Sequence, residues 1–348
     1  MNYCKQYKDD IKSVSCYTLQ TNKLLGKSIF ITGANGLIGS AIADVLLYIH
    51  HSAHSDMHIM LAGRDKERML QRFNAYTEGR DYTFVPYDAT TFDIPNIPAD
   101  YIIHAASNAD PAMIASHPVE TMRANIIGLD ALFRHSSPNS RVLYVSSSEV
   151  YGRKSGTEPY REEDYGFVDL LNPRASYPSS KRAAETFCAA YGKEYSRDFV
   201  IVRPGHIYGP TAKRTDSRAS SVFPFEVLDG KDIVMKSAGT QMRSYCYCMD
   251  CASAILSVLT TGASGNAYNI SNRDSVVNIR QMAEAFAKAG GRKIVFDIPS
   301  EAEKMSYNLM DNSSLNAEKL ESLGWHACFS MDEGAKHTLE ILKAEYGK

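Results

Sequence analysis

Three glycines that directly follow a short apolar run constrain the fold of this chain more than any other feature. Residues 27–32 are rich in β-forming side chains, Gly33, Gly36 and Gly39 come next, and helical periodicity follows over residues 40–47. A strand that enters a helix through a glycine turn is typical of the first unit of a βαβ fold. We therefore expect an α/β protein built on a parallel sheet.

Further apolar runs extend this pattern along the chain. Helical or loop segments separate these runs, which occupy residues 58–62, 83–87, 101–105, 141–146 and 198–204. The alternation predicts a Rossmann-type, doubly wound parallel sheet over residues 27–205, with some later segments. Residues 1–26 are predicted to be a helical or irregular extension. The pattern becomes less regular in the later part of the chain, where a helix is predicted near residues 279–289. We expect residues 206–348 to form mainly a smaller substrate-binding domain.

The glycine turn also predicts a ligand. In this spacing the first glycine turns the chain, the second lets the backbone approach a pyrophosphate, and the third lets the helix pack on the strand. Free N–H groups at the helix N-terminus favour the anion. A dinucleotide cofactor is therefore expected, bound by these residues of the turn: Gly33, Asn35, Gly36, Leu37, Ile38 and Gly39.

The residues after the second and third predicted strands bear on which dinucleotide binds. A carboxylate after the second strand normally holds the ribose hydroxyls of NAD. Here Arg64 comes first and Asp65 next, so Arg64 could meet the 2′-phosphate of NADP or Asp65 could bind the ribose. Asp88, with Ala89 beside it, follows the third strand and is a candidate acceptor for the adenine amine, the alternative being an ordinary loop carboxylate. The sequence therefore leaves both NAD and NADP as candidate cofactors.

Tyr177 and Lys181 form a second chemical motif. A spacing of four places both side chains on one face of a helix, where the ammonium can stabilise a phenolate. Alone, such a pair is usually a solvated surface pair. On a chain that also carries the glycine turn, it predicts a base that removes a proton from an alcohol.

Composition excludes several classes of partner. The formal net charge is −2, with 38 basic and 40 acidic residues, so neither nucleic acid nor an anionic membrane is an expected partner. The polar N-terminus and the lack of a long apolar run predict a cytoplasmic chain. Seven cysteines form no disulfide framework. Cys246, Cys248 and Cys251 cluster, but without a fourth ligand nearby we interpret them as packing residues and expect no metal.

Together with other motifs in order, these features resemble a known family over roughly residues 27–345. The motifs are residues 33–39, His104-Ala105-Ala106-Ser107, Asn125, Ser146-Ser147-Ser148-Glu149-Val150-Tyr151-Gly152, Tyr177 with Lys181, and Arg203-Pro204. This set is similar to that of the extended short-chain dehydrogenases/reductases, and in particular to nucleotide-sugar epimerases, dehydratases and decarboxylases.

The resemblance implies transient oxidation of a sugar at C4 by tightly held NAD. Tyr177 takes the hydroxyl proton, Lys181 lowers the pKa of the phenol and holds the cofactor ribose, and Ser147 bridges the substrate hydroxyl and the phenol. The resemblance also implies further cofactor contacts, at Ala105, Ala106, Ser107, Asn125, Pro204 and His206.

The residues beside the base bear on the product. Ser147-Ser148-Glu149-Val150-Tyr151 is similar to the Thr-Ser-Glu-Val-Tyr pattern of UDP-glucuronate decarboxylases, whereas 4,6-dehydratases carry Thr-Asp-Glu. Ser148 lacks the acid that would protonate a departing hydroxyl, while a C4 ketone already activates a C5-carboxylate for loss of CO2. UDP-glucuronate decarboxylation is therefore the leading prediction, with Glu149 and a nearby donor orienting the sugar and guiding reprotonation.

Two arginines support the same prediction. Arg174 lies three residues before Tyr177, and Arg243 lies in a Gly-x-Gln-x-Arg-Ser-Tyr run, both similar to decarboxylase segments. Arg243 is expected to bind the nucleotide diphosphate or to lie near the sugar carboxylate, and Arg174 and Ser148 are also assigned to the substrate. A surface ion pair is the alternative for each arginine. His206 stands where the family often has Asn, and it could donate to the substrate or simply pack.

Several alternatives stay open. A nucleotide-sugar 4-epimerase needs only Tyr177, Ser147 and a sugar that rotates, and a 4,6-dehydratase or an NADPH-dependent ketoreductase comes next. A non-catalytic NAD(P)-sensing scaffold would not need a base. A homodimer is implied by the resemblance, through the helix of Tyr177 and the helix near Asn125.

Overall fold

This computed structural model describes residues 1–297 and 311–347. The strands are β1 (Ser28–Thr32), β2 (His58–Gly63), β3 (Thr83–Pro86), β4 (Tyr101–His104), β5 (Arg141–Val145), β6 (Phe199–Pro204), β7 (His206–Tyr208), β8 (Ile233–Met235), β9 (Met242–Tyr247), β10 (Asn266–Ile270), β11 (Val276–Asn278), β12 (Ile294–Phe296) and β13 (Asn312–Ser313). The helices are α1 (Lys5–Tyr17), α2 (Leu37–Ser52), α3 (Lys66–Arg72), α4 (Pro111–Ser116), α5 (Pro118–His135), α6 (Ser176–Tyr195), α7 (Ala219–Leu228), α8 (Cys248–Thr261), α9 (Ile279–Gly290), α10 (Glu318–Glu321) and α11 (Met331–Tyr346).

A parallel seven-stranded sheet forms the centre of the molecule, in the order β10-β6-β5-β4-β1-β2-β3. Its pairs are in parallel register, for example Ile29 opposite Tyr101 and opposite Ile59. Buried apolar residues fill β1, β4, β5 and β6, as expected for strands covered on both faces. The predicted doubly wound sheet is confirmed, because the chain runs outward from β1 in both directions.

The order of strands places a crevice next to β1. From β1 the chain passes to β2 on one side, and after β3 it returns to β4 on the other side. Loops that leave the carboxyl ends of β1 and β4 therefore diverge, which opens a binding crevice between them. All six strands predicted from the apolar runs are present, with ends that differ by a residue or two.

The later part of the chain contributes both to this sheet and to smaller ones. β10 pairs with the outer side of β6 in the main sheet. β9 pairs with β7, β11 and β13, and a separate pair joins β8 to β12. The predicted helix near 279–289 is α9, which begins with a capping box between Asn278 and Gln281.

The N-terminal extension is helical and packs on the body of the protein. Tyr7, Ile11 and Val14 of α1 are buried in the main apolar cluster, one turn apart on one face. Asp44 on α2 accepts hydrogen bonds from the hydroxyls of Tyr3 (2.7 Å) and Tyr7 (2.5 Å) and pairs with Arg72.

Two further observations concern membrane-spanning helices and metal sites. In residues 1–297 and 311–347, no helix is both long and apolar enough to cross a membrane. Within the same ranges, no group of three or more His, Cys, Asp or Glu side chains is placed to hold a metal ion. Cys246 is buried in β9, while Cys248 and Cys251 are buried in α8.

Candidate active site

The glycine turn between β1 and α2 has no room for side chains. Gly33 adopts a φ of +67°, and a Cβ there would lie 2.7 Å from the carbonyl oxygen of Ala105. A Cβ on Gly39 would overlap the carbonyl oxygen of Gly33. Gly36 caps α2, so the amides of Leu37, Ile38 and Gly39 form the first helical turn, whose N–H groups have no acceptor within a helix. The turn thus exposes backbone donors at the crevice.

A hydrogen-bond cluster fixes the carboxyl ends of β1 and β4 against each other. The Thr32 hydroxyl oxygen accepts from the N–H groups of Ala105 and Ala106, each at 3.2 Å, and lies 2.8 Å from Nδ1 of His104. The hydroxyl proton is therefore free to be donated to Nδ1. Burial, and then the positive charge of Lys181, lower the pKa of His104 to about 3, which keeps the ring neutral.

The residues assigned to the adenosine end line a separate cavity. Arg64, Asp88 and Thr90 are among the residues around a volume of about 410 Å³. The Asp88 carboxylate accepts from the backbone N–H (2.9 Å) and hydroxyl (2.8 Å) of Thr90. Asp65 accepts from the N–H of Arg68 as the N-cap of α3. The Asp65 carboxylate therefore caps α3, while Arg64 lines the cavity and its positive charge acts on Asp88.

Tyr177 lies near the N-terminus of α6, with 6% of its surface exposed. Burial, and then the negative charge of Glu149, raise the pKa of Tyr177 to about 12. A hydrogen bond with Ser147 and the charges of Arg218 and Arg174 act in the opposite direction. The phenol is thus a weak acid whose ionisation depends on nearby donors and cations.

Lys181 lies one turn further along α6 and is almost fully buried. Its Nζ donates to the carbonyl oxygen of Val145 at 2.7 Å and lies 5.8 Å from the centre of the Tyr177 ring. Burial lowers the pKa of Lys181 to about 7. The structure therefore places Lys181 beside Tyr177, while its ammonium is hydrogen-bonded to the last residue of β5. Its action on the phenol stays a prediction.

Glu149 lies in a short 3₁₀ turn, Ser148–Tyr151, and its backbone N–H donates to the Ser147 hydroxyl at 3.2 Å. Its carboxylate forms an ion pair with Arg174 at 2.7 Å. Glu149 is partly exposed, with 27% of its side chain accessible. Glu149 thus reaches the crevice with one arginine already in contact.

Arg243 is buried in β9, where its Nη1 donates to the carbonyl oxygen of Met242 at 2.8 Å. Burial lowers its pKa, and the charges of Asp311 and Glu149 act against that effect. A buried guanidinium with one backbone partner can still bind an anion. Arg174 and Arg243 therefore both act on Glu149, and their assignment to the substrate stays a prediction.

His206 opens β7 and faces the same region. Burial, and then the charges of Arg243 and Arg218, lower its pKa to about 3. Its Nδ1 is buried and has no hydrogen-bond partner among the described residues. The neutral ring can therefore serve a ligand as donor or acceptor. Ser148 is buried in the 3₁₀ turn and carries a hydroxyl where an acid would be needed for dehydration.

Arg218 is a site residue that the sequence analysis missed. It precedes α7 and is held by Asp216, with Nε 3.0 and 3.1 Å from the two carboxylate oxygens. Its charge acts on both Tyr177 and His206. No local motif marks Arg218, because 41 residues separate it from Tyr177 and only the folded chain brings them together.

Asn125 connects two neighbouring helices. It is fully buried in α5 and donates to the Ser180 hydroxyl of α6 at 2.9 Å. This bond connects α6, which carries Tyr177, to α5.

Gly205, next to Pro204, lies so close to Ser244 that a Cβ on Gly205 would meet the carbonyl oxygen of Ser244 at 2.5 Å.

The residues present fit a dinucleotide. The glycine turn leaves a cradle that any Cβ would fill, and Asn35 and Ser107 carry buried side-chain oxygens without a partner in the described part of the chain. These residues would hold the pyrophosphate and neighbouring ribose, with Tyr177 and His206 at the opposite end of the crevice. The arrangement suits reversible oxidation of an alcohol, with a phenol as the base.

Comparison with known proteins agrees with this geometry. The model of the NAD-dependent epimerase/dehydratase family matches residues 29–271. UDP-glucuronic acid decarboxylase 1 of Xenopus tropicalis is 27% identical over 322 residues, covering 92% of this chain and 73% of that protein.

Solved structures share the fold. UDP-glucuronic acid 4-epimerase from Bacillus cereus, in complex with UDP-glucuronic acid and NAD, matches with a TM-score of 0.73 and 21% identity, over 92% of this chain and all of the other. RMD from Pseudomonas aeruginosa, complexed with NADPH, matches with a TM-score of 0.67 and 21% identity, over 91% of this chain and 99% of the other. The shared fold therefore accommodates either dinucleotide in these relatives.

Proposed function

Because this chain belongs to the NAD-dependent epimerase/dehydratase family, we propose that it acts on a nucleotide sugar and removes CO2 from UDP-glucuronate. The observation that carries this proposal is a pair of arginines that act on Glu149. Arg174 contacts the Glu149 carboxylate at 2.7 Å, and the charge of Arg243 interacts with it. Arg174 and Glu149 also act on the pKa of Tyr177. Two guanidinium groups suit a substrate that carries a carboxylate as well as a diphosphate. The decarboxylases among the relatives support the same reaction.

The reaction begins with proton transfer at the sugar C4 hydroxyl. Bound NAD supplies reversible oxidation of that carbon. Tyr177 accepts the hydroxyl proton as the base, and Ser147, its hydrogen-bond partner, positions the hydroxyl. Tyr177 must be ionised before this transfer, and Arg218 and Arg174 stabilise that phenolate, since their charges lower the pKa of Tyr177.

Loss of CO2 then needs little help from the protein. The C4 ketone lies β to the carboxylate on C5, so the electron pair of the breaking C–C bond is delocalised onto the ketone oxygen. Glu149 orients the sugar, and a proton is added at C5 after CO2 leaves. Tyr177 returns its proton to the C4 oxygen when the ketone is reduced, so that one proton is consumed for each CO2 released.

The test is incubation of the purified protein with UDP-glucuronate, UDP-glucose, UDP-N-acetylglucosamine and dTDP-glucose, followed by mass spectrometry of the products. We expect UDP-glucuronate to lose about 44 Da, the mass of CO2. Loss of about 18 Da would indicate a 4,6-dehydratase, and a new isomer of unchanged mass would indicate a 4-epimerase. Reduction of a ketone at the expense of NADPH would indicate a ketoreductase. Any of these outcomes in place of decarboxylation would overturn the proposal.

Glu149→Gln is the companion variant. It keeps the shape of the side chain but removes the charge that pairs with Arg174 at 2.7 Å. We expect turnover to fall by about a hundredfold or more, with cofactor binding kept. Turnover near that of the wild type would remove Glu149 from the mechanism.

A homodimer is also proposed, through α5 and α6. Support comes from the large exposed apolar side chains on these helices, Val119, Met122 and Tyr195. Sedimentation should give a dimer for the wild type and a monomer for Met122→Glu, with Tyr17→Glu on α1 as the matched control. A wild-type monomer would refute this proposal.

The proposed compartment is the cytoplasm. Its support is the set of seven cysteines, all of which are free thiols in the structure. Localisation of the tagged full chain in its own cells tests this, and recovery outside the cytoplasm would contradict it.

A further inference from the structure

A short segment after β7 is attached to both walls of the crevice between β1 and β4. The Thr211 hydroxyl donates to the carbonyl oxygen of Leu37, the first residue of α2, at 2.9 Å. Further along the segment, Ser217 donates its hydroxyl (2.5 Å) and its backbone N–H (3.3 Å) to one carboxylate oxygen of Asp110. Asp110 caps α4, which follows the loop after β4. We call residues 210–218 the strap.

The strap is short and passes close to the glycine turn. An extended chain gains at most about 3.5 Å per residue, so the part between Thr211 and Ser217 spans no more than about 20 Å. Residues 210–215 line the cavity of about 760 Å³ that also contains Asn35 of the glycine turn. The strap therefore runs across the crevice from the start of α2 to the start of α4.

The end of the strap brings a cation to Tyr177. The Asp216 carboxylate accepts from Nε of Arg218, with oxygens at 3.0 and 3.1 Å, and from the backbone N–H of Arg218 at 3.0 Å. Burial acts against the charge of Arg218, but Asp216, and then the charges of Tyr177 and Asp110, keep its pKa above the usual value. Arg218 directly follows Ser217 in sequence. The bond to Asp110 therefore fixes the backbone from which Arg218 acts on Tyr177.

Groups from several elements face the Tyr177 phenol. They are Ser147 and Glu149 at the 3₁₀ turn, Tyr144 in β5, Arg174 before α6, Lys181 on α6 and Arg218 of the strap. Burial and then Glu149 raise the pKa of Tyr177, whereas Ser147, Arg218 and Arg174 lower it. The charge of Arg218 has a larger effect than that of Arg174. The position of the strap therefore bears directly on how easily Tyr177 ionises.

We propose that Asp110 and Ser217 are positioning residues, whose bond closes the strap over a bound dinucleotide and holds Arg218 where its charge favours the ionised form of Tyr177. The proposal rests on the cofactor site and the base of the proposed function, but not on the sugar or the product. The strap has to detach from Asp110 before the dinucleotide leaves. Retention of the cofactor and ionisation of the base therefore depend on one bond.

Limited proteolysis with trypsin tests the closure without any sugar substrate. Trypsin cleaves after Lys213 and Arg214, which are exposed in the strap. For the purified full chain freed of nucleotide, we expect saturating NAD to slow this cleavage by about tenfold or more. In Ser217→Ala the protection should fall to about threefold or less, because a hydrogen bond to a charged group is lost. Equal cleavage of the wild type with and without NAD would overturn the proposal.

The pH profile of turnover tests the position of Arg218. With less positive charge at the phenol, Tyr177 ionises at higher pH, so the acidic limb of kcat/KM in Ser217→Ala should move up by about 0.5–1 pH unit. At neutral pH, kcat should fall about three- to tenfold, while KM for the nucleotide sugar changes less than about twofold. A fall in kcat with an unmoved limb would show that Ser217 has only a structural role, and would refute the proposal.

Two further serine variants are the controls. Ser217→Thr keeps the hydroxyl and should retain both the protection by NAD and the wild-type pH profile. Ser264→Ala removes an exposed hydroxyl between α8 and β10 and should change neither. Loss of protection in both Ser217→Thr and Ser264→Ala would contradict the assignment of the effect to the bond with Asp110.

Asp110→Ser breaks the same bond from the other side. Serine still caps α4, but its side chain is one bond shorter and carries no charge. We expect the same loss of protection and the same shift of the acidic limb as in Ser217→Ala. The double variant should add little to either single variant, because all three remove one interaction. Additive effects in the double variant would reject a shared bond.

The outcomes separate this proposal from the proposed reaction. Protection by NAD that depends on Ser217, without release of CO2 from UDP-glucuronate, would reject the decarboxylase proposal and keep the strap. The pH profile is then measured with whichever nucleotide sugar the protein turns over. Release of CO2 with cleavage and pH profile unchanged in Ser217→Ala would keep the reaction and reject the strap.

Discussion

Tyr177 connects the cofactor crevice to the proposed sugar site, and its surroundings determine how easily it ionises. Its pKa is raised to about 12, first by burial and then by Glu149, while Ser147, Arg218 and Arg174 lower it. Lys181, by contrast, donates to the carbonyl oxygen of Val145. The groups that lower the pKa of the Tyr177 phenol therefore include two arginines that come from outside the Tyr-x-x-x-Lys motif.

Tyr177→Phe tests the base directly. Phenylalanine keeps the ring and its packing but cannot accept a proton, so we expect turnover to fall by about 10³-fold or more. Cofactor binding, measured by calorimetry, should change little. Tyr165→Phe, which alters an exposed tyrosine, is the control and should leave turnover unchanged. Substantial activity of the Tyr177 variant would show that another group removes the proton.

His104 gives a prediction for pH dependence. Its pKa is lowered to about 3 in the folded state, mainly by burial, against about 6.5 in an unfolded chain. Between these values the unfolded chain binds the additional proton, so the stability contributed by His104 decreases as the pH falls below about 6.5.

The corresponding variant is His104→Asn, whose amide can still meet the Thr32 hydroxyl. From pH 7.5 to 5 the wild type should lose about 2 kcal/mol of unfolding free energy relative to this variant. Urea denaturation at both pH values measures the difference. Equal losses in the two proteins would mean that His104 does not stay neutral in the fold.

At the scale of single elements, the sequence predicted the main sheet well. Each of its first six strands follows from a short run of β-forming residues, and burial on both faces makes such runs easy to recognise. The structure of the N-terminal extension was harder to predict from the sequence. Tyr7, Ile11 and Val14 do have helical spacing, but polar residues between them weaken the pattern, and contacts with α2 and α8 determine the burial of this face.

The packing of α1 depends on a charge that the sequence did not reveal. Asp44 is fully buried on α2, where it accepts from Tyr3 and Tyr7 and pairs with Arg72 of α3. Three elements thus meet at one carboxylate. Asp44→Ala should lower the free energy of unfolding by about 3–5 kcal/mol, because it leaves Arg72 as a buried charge without its partner.

Chemical denaturation of the full chain measures this loss. Asp9→Ala, which removes an exposed carboxylate from α1, is the control and should change stability by less than about 0.5 kcal/mol. A loss below about 1 kcal/mol for Asp44→Ala would mean that the cluster contributes little to the attachment of the extension.

At the scale of the whole molecule, residues far apart in sequence complete both the sheet and the site. β10 adds to the outer side of β6, and α8 packs on α2 through a surface that is buried along almost its full length. Arg218 and Arg243 come from the same later part of the chain. Sequence motifs marked the glycine turn, Tyr177 and Arg243 as candidates, whereas Arg218 has no such motif and acts on Tyr177 only through long-range packing.

This interdependence predicts that residues 1–205 do not fold alone. Without the later part, β6 becomes an unpaired edge strand and the apolar surface of α2 loses α8. We expect a fragment of residues 1–205 to show no cooperative unfolding by circular dichroism, and to regain it when residues 206–348 are supplied as a second chain. Cooperative unfolding of the fragment alone, near the melting temperature of the full chain, would contradict this prediction. It would show that the Rossmann-type sheet is stable without β10 and α8.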